Sequence, residues 1–271
     1  MAPSVPRPQV VAHRGASFEN AEHTLGAYVK ALDAGAEGLE CDVRLTADGH
    51  LVCVHDRRVD RTSDGRGSVS ALELSDLHQL DFSSWKSRQH DPLLEASWQE
   101  VDHEGGRVLT LERLLQLVLD QDRRVELHVE TKHPTRYGGL VEKALVELLE
   151  RYGLARPLTR SVSQVTVMSF AATSLRRLHV MAPMLPTVFL MQHVPLRFRD
   201  GTLPPQCSIA GPSLEILRRH PRYVERVHDK GNRVHVWTVD EREDIDFVLE
   251  LGVDAVITNR PRRALRHLDR T

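Results

Sequence analysis

Short apolar, β-branched runs alternate with longer stretches of helical period along nearly the whole chain. The runs predict strands over Gln9–His13, Glu37–Arg44, Val125–Lys132, Gln164–Phe170, Pro186–Met191, Cys207–Gly211, Arg233–Val239 and Val253–Thr258. Between them the period lengthens, predicting helices over Thr24–Ala34, Leu111–Asp120, Leu140–Tyr152, Ala172–Met181, Arg222–Lys230 and Glu241–Leu251. Thr24, Thr110 and Asp240 stand where N-caps belong, and Gly35, Gly153, Gly231 and Gly252 where helices stop. Pro212 and Pro221 interrupt the stretch from Gly211 to Arg233, so any helix there is broken.

Eight strands joined by crossovers in one chain predict an α/β fold, a closed parallel (β/α)8 TIM barrel. The alternative, an open doubly wound sheet, lacks a Gly-rich phosphate turn after the first strand. One region breaks the alternation. After a short strand at Leu51–His55 comes a polar loop and a segment carrying Phe82, Trp85 and Trp98. Residues 57–107 read as a small insertion after the second strand, within a single barrel domain spanning 1–271. Their apolar content is too thin for a separate domain.

The 271 residues include 41% hydrophobic and 27% charged side chains, ordinary globular usage that excludes a disordered or fibrous chain. Thirty-six Lys and Arg against 38 Asp and Glu leave a net charge of -2, so nothing points to a nucleic-acid partner. An anionic ligand must then be held by a local site. Cys41, Cys53 and Cys207 have neither disulfide-framework nor metal-ligand spacing. No apolar run approaches the ~18 residues of a membrane span, and the first residues lack a signal-peptide core. The expectation is a cytoplasmic protein without stable membrane insertion.

Strand parity places polar side chains where they need an explanation. Glu40 and Asp42 share one face of the second predicted strand, and Glu126, His128, Glu130 and Lys132 one face of the third. An antiparallel edge strand would carry such a face in water. In a parallel barrel, helices cover the outer face and side chains fill the interior, so Glu40, Asp42 and Glu130 must gather near the open C-terminal mouth around positive charge. Lys132 can neutralise one carboxylate and a divalent cation the rest. Oxygen-only ligation favours magnesium or calcium over zinc. His128, deeper on the same face, reads as a hydrogen-bonded core histidine. His13 and His55 each end a strand, where barrel enzymes place catalytic groups.

These residues belong to an ordered set of motifs. They are His13-Arg-Gly-Ala-Ser-Phe-Glu-Asn-Ala-Glu-His-Thr24, Leu39-Glu-Cys-Asp42 leading to Val54-His-Asp56, Arg61-Thr-Ser-Asp-Gly-Arg-Gly67, Val129-Glu-Thr-Lys132, Met168-Ser-Phe170, Val236-Trp-Thr-Val239 and Gly252-Val-Asp-Ala-Val-Ile-Thr-Asn-Arg-Pro261. From about Val10 to Pro261 the chain resembles the glycerophosphodiester phosphodiesterase family, whose members are (β/α)8 barrels. The resemblance implies metal-dependent hydrolysis of a small-molecule glycerophosphodiester to sn-glycerol 3-phosphate and an alcohol. It implies Glu40, Asp42 and Glu130 as metal ligands and His13 and His55 as the acid/base pair. Arg14 and Lys132 would face the phosphate, with Glu22 and Trp237 at the substrate.

Two motifs depart from the family's spelling. Pro-Glu-Asn-Thr is Ala21-Glu-His-Thr24 here, keeping Glu22 but replacing an amide with His23. The closing Thr-Asp is Thr258-Asn259, a position expected to lie away from the metal set at little cost. Phe82, Trp85 and Trp98 fit a small core within the insertion better than a substrate wall. Arg57, Arg58, Arg260, Arg262, Arg263 and Arg266 read as solvated charge. Cys41 should point out to the helices, and Cys53 gains no basic neighbour that would make it nucleophilic. The neighbouring competitor is a lysophospholipase D or sphingomyelinase D type of phosphodiesterase, which needs an apolar channel. A non-catalytic barrel should have lost a histidine or carboxylate, and this chain retains all of them.

Overall fold

The computed structural model describes residues 7–86, 106–135 and 138–269. Eight parallel strands close on themselves: β1 (Gln9–His13), β2 (Gly38–Leu45), β4 (Glu126–Thr131), β5 (Val165–Ser169), β6 (Thr187–Met191), β7 (Ile209–Pro212), β8 (Arg233–Val236) and β9 (Ala255–Thr258). Closure is made by β1, which pairs with β2 on one side and β9 on the other. A short β3 (Leu51–Cys53) folds back antiparallel on the end of β2. The barrel predicted from strand count is the one observed.

The interior is filled by alternate residues. Val11, Met168, Val188, Leu190, Ile209, Ala255 and Ile257 form one apolar cluster there. The opposite parity of the same strands meets the helices in two larger clusters, one of which holds Cys41 and Cys53. The helices are α1 (Leu25–Asp33), α2 (Leu74–Leu77), α3 (Leu111–Leu119), α4 (Leu140–Arg151), α5 (Ala172–Met181), α6 (Leu214–Arg219), α7 (Tyr223–Asp229), α8 (Arg242–Leu251) and α9 (Pro261–Leu268). Thr24 and Thr110 cap α1 and α3 as expected, accepting from Ala27 N and Arg113 N. The break foreseen at Pro221 separates α6 from α7.

Two local expectations fail, and one helix was not foreseen. Glu241, not Asp240, is the N-cap of α8, because the Asp240 carboxylate is turned to the end of β9. β8 ends at Val236; Trp237 continues only as an isolated bridge to Ser213, and Val239 is buried against the helices. The arginine-rich C-terminal stretch is α9, with Pro261 in its first turn and a buried face of Pro261, Ala264, Leu265 and Leu268.

The described part of the insertion packs on β3. Phe82, Val59, Val69, Leu77 and Val108 gather with Val52 and Val54 in a small cluster, so Phe82 is core as anticipated. Trp85 instead lies half-buried with Arg61 5.8 Å above its ring, and Trp98 is outside the described residues. No helix among the described residues is long and apolar enough to cross a membrane.

Candidate active site

The C-terminal ends of β1, β2 and β4 bring the site together. Strand register sets His13 beside Glu40 and Asp42 beside Glu130. The sequence then turns at Arg14 and Gly15, whose φ angles are +57° and +85°. A Cβ on Gly15 would come within 2.7 Å of Ala27 backbone, so only glycine lets this loop lie against α1. The turn aims the Arg14 amide at Glu40 Oε2, 3.0 Å away.

Glu40, Asp42 and Glu130 are all buried, with carboxylate oxygens within 4.8 Å of one another. Burial and the neighbouring Asp42 charge push the Glu40 carboxyl well above its usual range, and the same causes push Glu130 up to about 8. Burial works against Asp42 ionising too, but Arg14, the hydrogen bond from His23 and Lys132 outweigh it and hold its carboxyl well below the usual range. The arrangement therefore carries one firmly anionic carboxylate and two that ionise fully only if more positive charge arrives.

The resident cations are Arg14 and Lys132. Arg14 Nε lies 2.9 Å from Asp42 Oδ2, and Lys132 Nζ lies 2.8 Å from Glu130 and 3.3 Å from Asp42 Oδ1. Asp42 Oδ1 is nevertheless a buried oxygen that accepts no hydrogen bond among the described residues. An orphaned buried acceptor facing two more carboxylates is the environment a hard divalent cation satisfies. The donor set fits magnesium or calcium.

Each candidate histidine is tied back by its Nδ1. His55 Nδ1 is 2.7 Å from Asp56 Oδ1, and Arg61 holds the other Asp56 oxygen at 2.6 Å. Arg44 donates twice to the His55 carbonyl, at 3.0 and 2.7 Å, fixing the residue two positions past β3. Burial lowers the His55 pKa, partly offset by Asp42, and Arg14 and Lys132 are also felt there. His13 Nε2 sits 3.9 Å from Glu40 Oε2, while His13 Nδ1 meets Asn259 Oδ1 at 2.7 Å.

Asn259, expected to lie away from the metal set, makes no hydrogen bond to the three carboxylates among the described residues but stands against His13. In a closed barrel the first and last strands pair, and Ala12 lies opposite Thr258, so the next residue stands beside His13. The Asn259 amide donates from Nδ2 to Asp240 Oδ2 at 2.6 Å, which leaves Oδ1 to face the imidazole. His13 must then donate from Nδ1 and keep its lone pair on Nε2. Burial, reinforced by the Arg14 charge, holds the His13 imidazole at about 4, so it is neutral at physiological pH.

Sequence reading also passed over His23. With φ +62° it occupies the left-handed region in which an amide-bearing residue is commonest, and its buried ring bridges Tyr28 Oη (2.8 Å) and Asp42 Oδ2 (2.9 Å). Tyr28 in turn donates to the Glu40 carbonyl at 3.0 Å. The signal available was the departure itself: a donor replaced a donor next to a retained Glu22. Glu22 pairs with Arg14 at 3.1 Å and with Arg61 through both oxygens, at 2.7 and 3.0 Å. Burial opposes its ionisation, but Arg61 and Arg14 prevail and hold the carboxyl at about 2.

Trp237 donates from Nε1 to the Gly211 carbonyl and meets Phe170 edge-on at 5.5 Å, while Lys132 Nζ lies 6.0 Å from the Phe170 ring centre. The two rings thus wall the mouth opposite β2. His128 is a fully buried core residue, as expected. The hydrogen bond foreseen for it is absent among the described residues, because its ring packs at 5.5 Å against the equally buried His235.

Residues 13–263 match the model of the glycerophosphoryl diester phosphodiesterase family. A probable glycerophosphodiester phosphodiesterase 1 of Mycobacterium tuberculosis is 47% identical over 263 residues, covering 97% of this chain and 93% of that one. A glycerophosphodiester phosphodiesterase of Bacillus subtilis is 34% identical, covering 93% and 83%. Among solved structures, a putative glycerophosphoryl diester phosphodiesterase from Silicibacter pomeroyi superposes with a TM-score of 0.80 at 26% identity, covering 99% and 94%. A phosphodiesterase of Oleispira antarctica, solved with the product sn-glycerol-3-phosphate, also reaches 0.80, at 22% identity and covering 97% of each chain.

Proposed function

Since the chain belongs to the glycerophosphoryl diester phosphodiesterase family, we propose that it hydrolyses glycerophosphodiesters to sn-glycerol 3-phosphate and an alcohol at the mouth of this barrel. The observation that carries the reading is the meeting of three buried carboxylates with a histidine whose Nε2 faces them and whose Nδ1 is engaged elsewhere. Glu40, Asp42 and Glu130 would hold one magnesium or calcium ion, which supplies charge neutralisation at a phosphate oxygen and acidifies a bound hydroxyl.

Arg14 and Lys132 present further positive charge to the phosphodiester, and Glu22 orients the Arg14 fork through its ion pair. Trp237 lines the opposite wall. His13, tied to a neutral amide, is the base: its free Nε2 takes the proton of the attacking hydroxyl, which is the 2-hydroxyl of the glycerol. His55, paired with the Asp56 carboxylate, is the acid that delivers a proton to the departing alkoxide. The cyclic phosphate formed by internal attack is then opened by water, with the two histidines exchanging roles.

The test is product analysis. Purified protein given glycerophosphocholine should release sn-glycerol 3-phosphate and choline, lose activity to a chelator and regain it with magnesium or calcium. His13→Ala should lower turnover at least ~100-fold with unchanged circular dichroism. Release of phosphocholine, turnover indifferent to chelation, or faster choline release from lysophosphatidylcholine would overturn the reading.

A further inference from the structure

A cavity of about 440 Å³ adjoins the site through Lys132 and is not used by the mechanism above. Its inner end is Lys132, the residue whose ammonium contacts Glu130 and Asp42. Its far walls are the turn after β2, the 3-10 turn at Val69–Ala71 and the start of α4. Its volume falls in the range of small-molecule sites, ~300–1,000 Å³.

Register explains how it meets the catalytic groups. Val43 pairs with Thr131, so Arg44 and Lys132 follow one step further along, on the face that carries Asp42 and Glu130. They form a cationic threshold one layer above the candidate metal site. Arg57 stands further out in the same wall. Its guanidinium has no partner among the described residues; only its backbone carbonyl is used, by Val69 N. Arg44 spends Nε and Nη2 on the His55 carbonyl and keeps Nη1 uncommitted.

One acid shares the lining. Asp48 is already engaged by Thr46 Oγ1 at 2.6 Å and Leu74 N at 3.1 Å. The cavity thus counts three cations, Arg44, Arg57 and Lys132, against one occupied carboxylate. Val69 and Leu140 supply apolar floor, and no aromatic ring is among the described lining residues. Among the described lining residues a quaternary ammonium finds no ring to stack on and one carboxylate, Asp48, already hydrogen-bonded. An anionic group finds the Arg57 guanidinium and the free Nη1 of Arg44.

Resting on the reading of the active site as a glycerophosphodiesterase, we propose that this cavity receives the leaving alcohol and selects diesters whose alcohol carries its own negative charge. The phosphodiester being cut sits at the carboxylate end, past Lys132. The second anion of the alcohol reaches Arg57 and the free edge of Arg44.

Three substrates isolate the charge: glycerophosphoinositol 4-phosphate, glycerophosphoinositol and glycerophosphocholine. At low ionic strength kcat/KM should be about tenfold higher for the phosphorylated inositol ester than for its unphosphorylated counterpart, and lowest for the choline ester. Arg57→Glu should bring the first ratio down to about one, and 0.5 M sodium chloride should compress it in the wild type. The charge-matched Arg262→Glu, on α9 and outside the cavity, should leave the ratio where it was. A wild-type ratio at or below one, a ratio unmoved by Arg57→Glu, or equal loss in both variants would overturn the proposal while hydrolysis itself stands. No hydrolysis of any of the three would remove the underlying reading and this one with it.

Discussion

If Asn259 orients the general base, replacing it with leucine should damage catalysis through His13, since Ser17 Oγ, which also donates to Asn259 Oδ1 at 2.8 Å, keeps its bond to the His13 carbonyl at 2.7 Å. Asn259→Leu removes the acceptor 2.7 Å from His13 Nδ1 and the donor 2.6 Å from Asp240 Oδ2. The imidazole N–H is then left without a partner in a half-buried site, a penalty of about 1–3 kcal/mol. It can escape by rotating or by moving its proton to Nε2, and either removes the lone pair from the attacking hydroxyl. At 1.36 kcal/mol per decade, this corresponds to a roughly 5- to 150-fold loss of kcat, with KM nearly unchanged because the Asn259 side chain is engaged by His13, Ser17 and Asp240. The assay is steady-state release of sn-glycerol 3-phosphate from glycerophosphocholine in a double-mutant cycle with His13→Ala. In the His13→Ala background the leucine should cost less than about twofold, since there is no ring left to orient. A general loss of stability at Asp240 would lower both backgrounds alike. Equal loss in the two backgrounds, or full activity of Asn259→Leu alone, would refute the orienting role.

Two further predictions concern protons. Asp56 raises the His55 pKa through its hydrogen bond, so Asp56→Asn should lower it, moving the alkaline limb of the pH–rate profile to lower pH and reducing kcat about tenfold or more; an unmoved limb would reassign the acid. His128 is held at about 4 by burial, which excludes its charged form from the native state. Its contribution to stability is therefore full above the ordinary histidine value near 6.5 and is lost as pH falls towards 4, amounting to about 3 kcal/mol. His128→Leu should flatten urea stability between pH 7 and 5 relative to wild type; parallel curves would show that the ring does not titrate across folding.

The barrel was legible because its two periods are. Eight strands alternate with helical stretches except between β6 and β7, where only a 3-10 turn at Leu196–Phe198 intervenes, and the break at Pro221 is a local rule that tertiary contacts left in force. Asp240 was misread for the opposite reason. An acid before a helix is a good cap, yet here three donors at Thr258 and Asn259, one backbone and two side-chain, compete for it and win. The helix α9 was hidden because its apolar face holds only four residues among arginines, so charge masked the period.

At the site the division is between parity and closure. Parity within one strand put Glu40 with Asp42 and Glu130 with Lys132 on single faces, and the cost of burying such groups demanded that they meet. Nothing in one strand's pattern reveals which loop residue a closed sheet brings to its first strand. Asn259 is 246 positions from His13 and becomes its hydrogen-bond partner only because β9 pairs with β1. His23 reaches Asp42 because a left-handed turn after Glu22 reverses the loop, and Tyr28 then fixes the ring from α1. The carboxylates come from strands and could be aligned by counting; the groups that orient them come from loops, whose paths are set by hydrogen bonds that counting does not see. A residue departing from a family spelling therefore tells most where it sits on such a loop. His23 and Asn259 both do, and each holds a proton donor or acceptor against a residue on which the proposed chemistry depends.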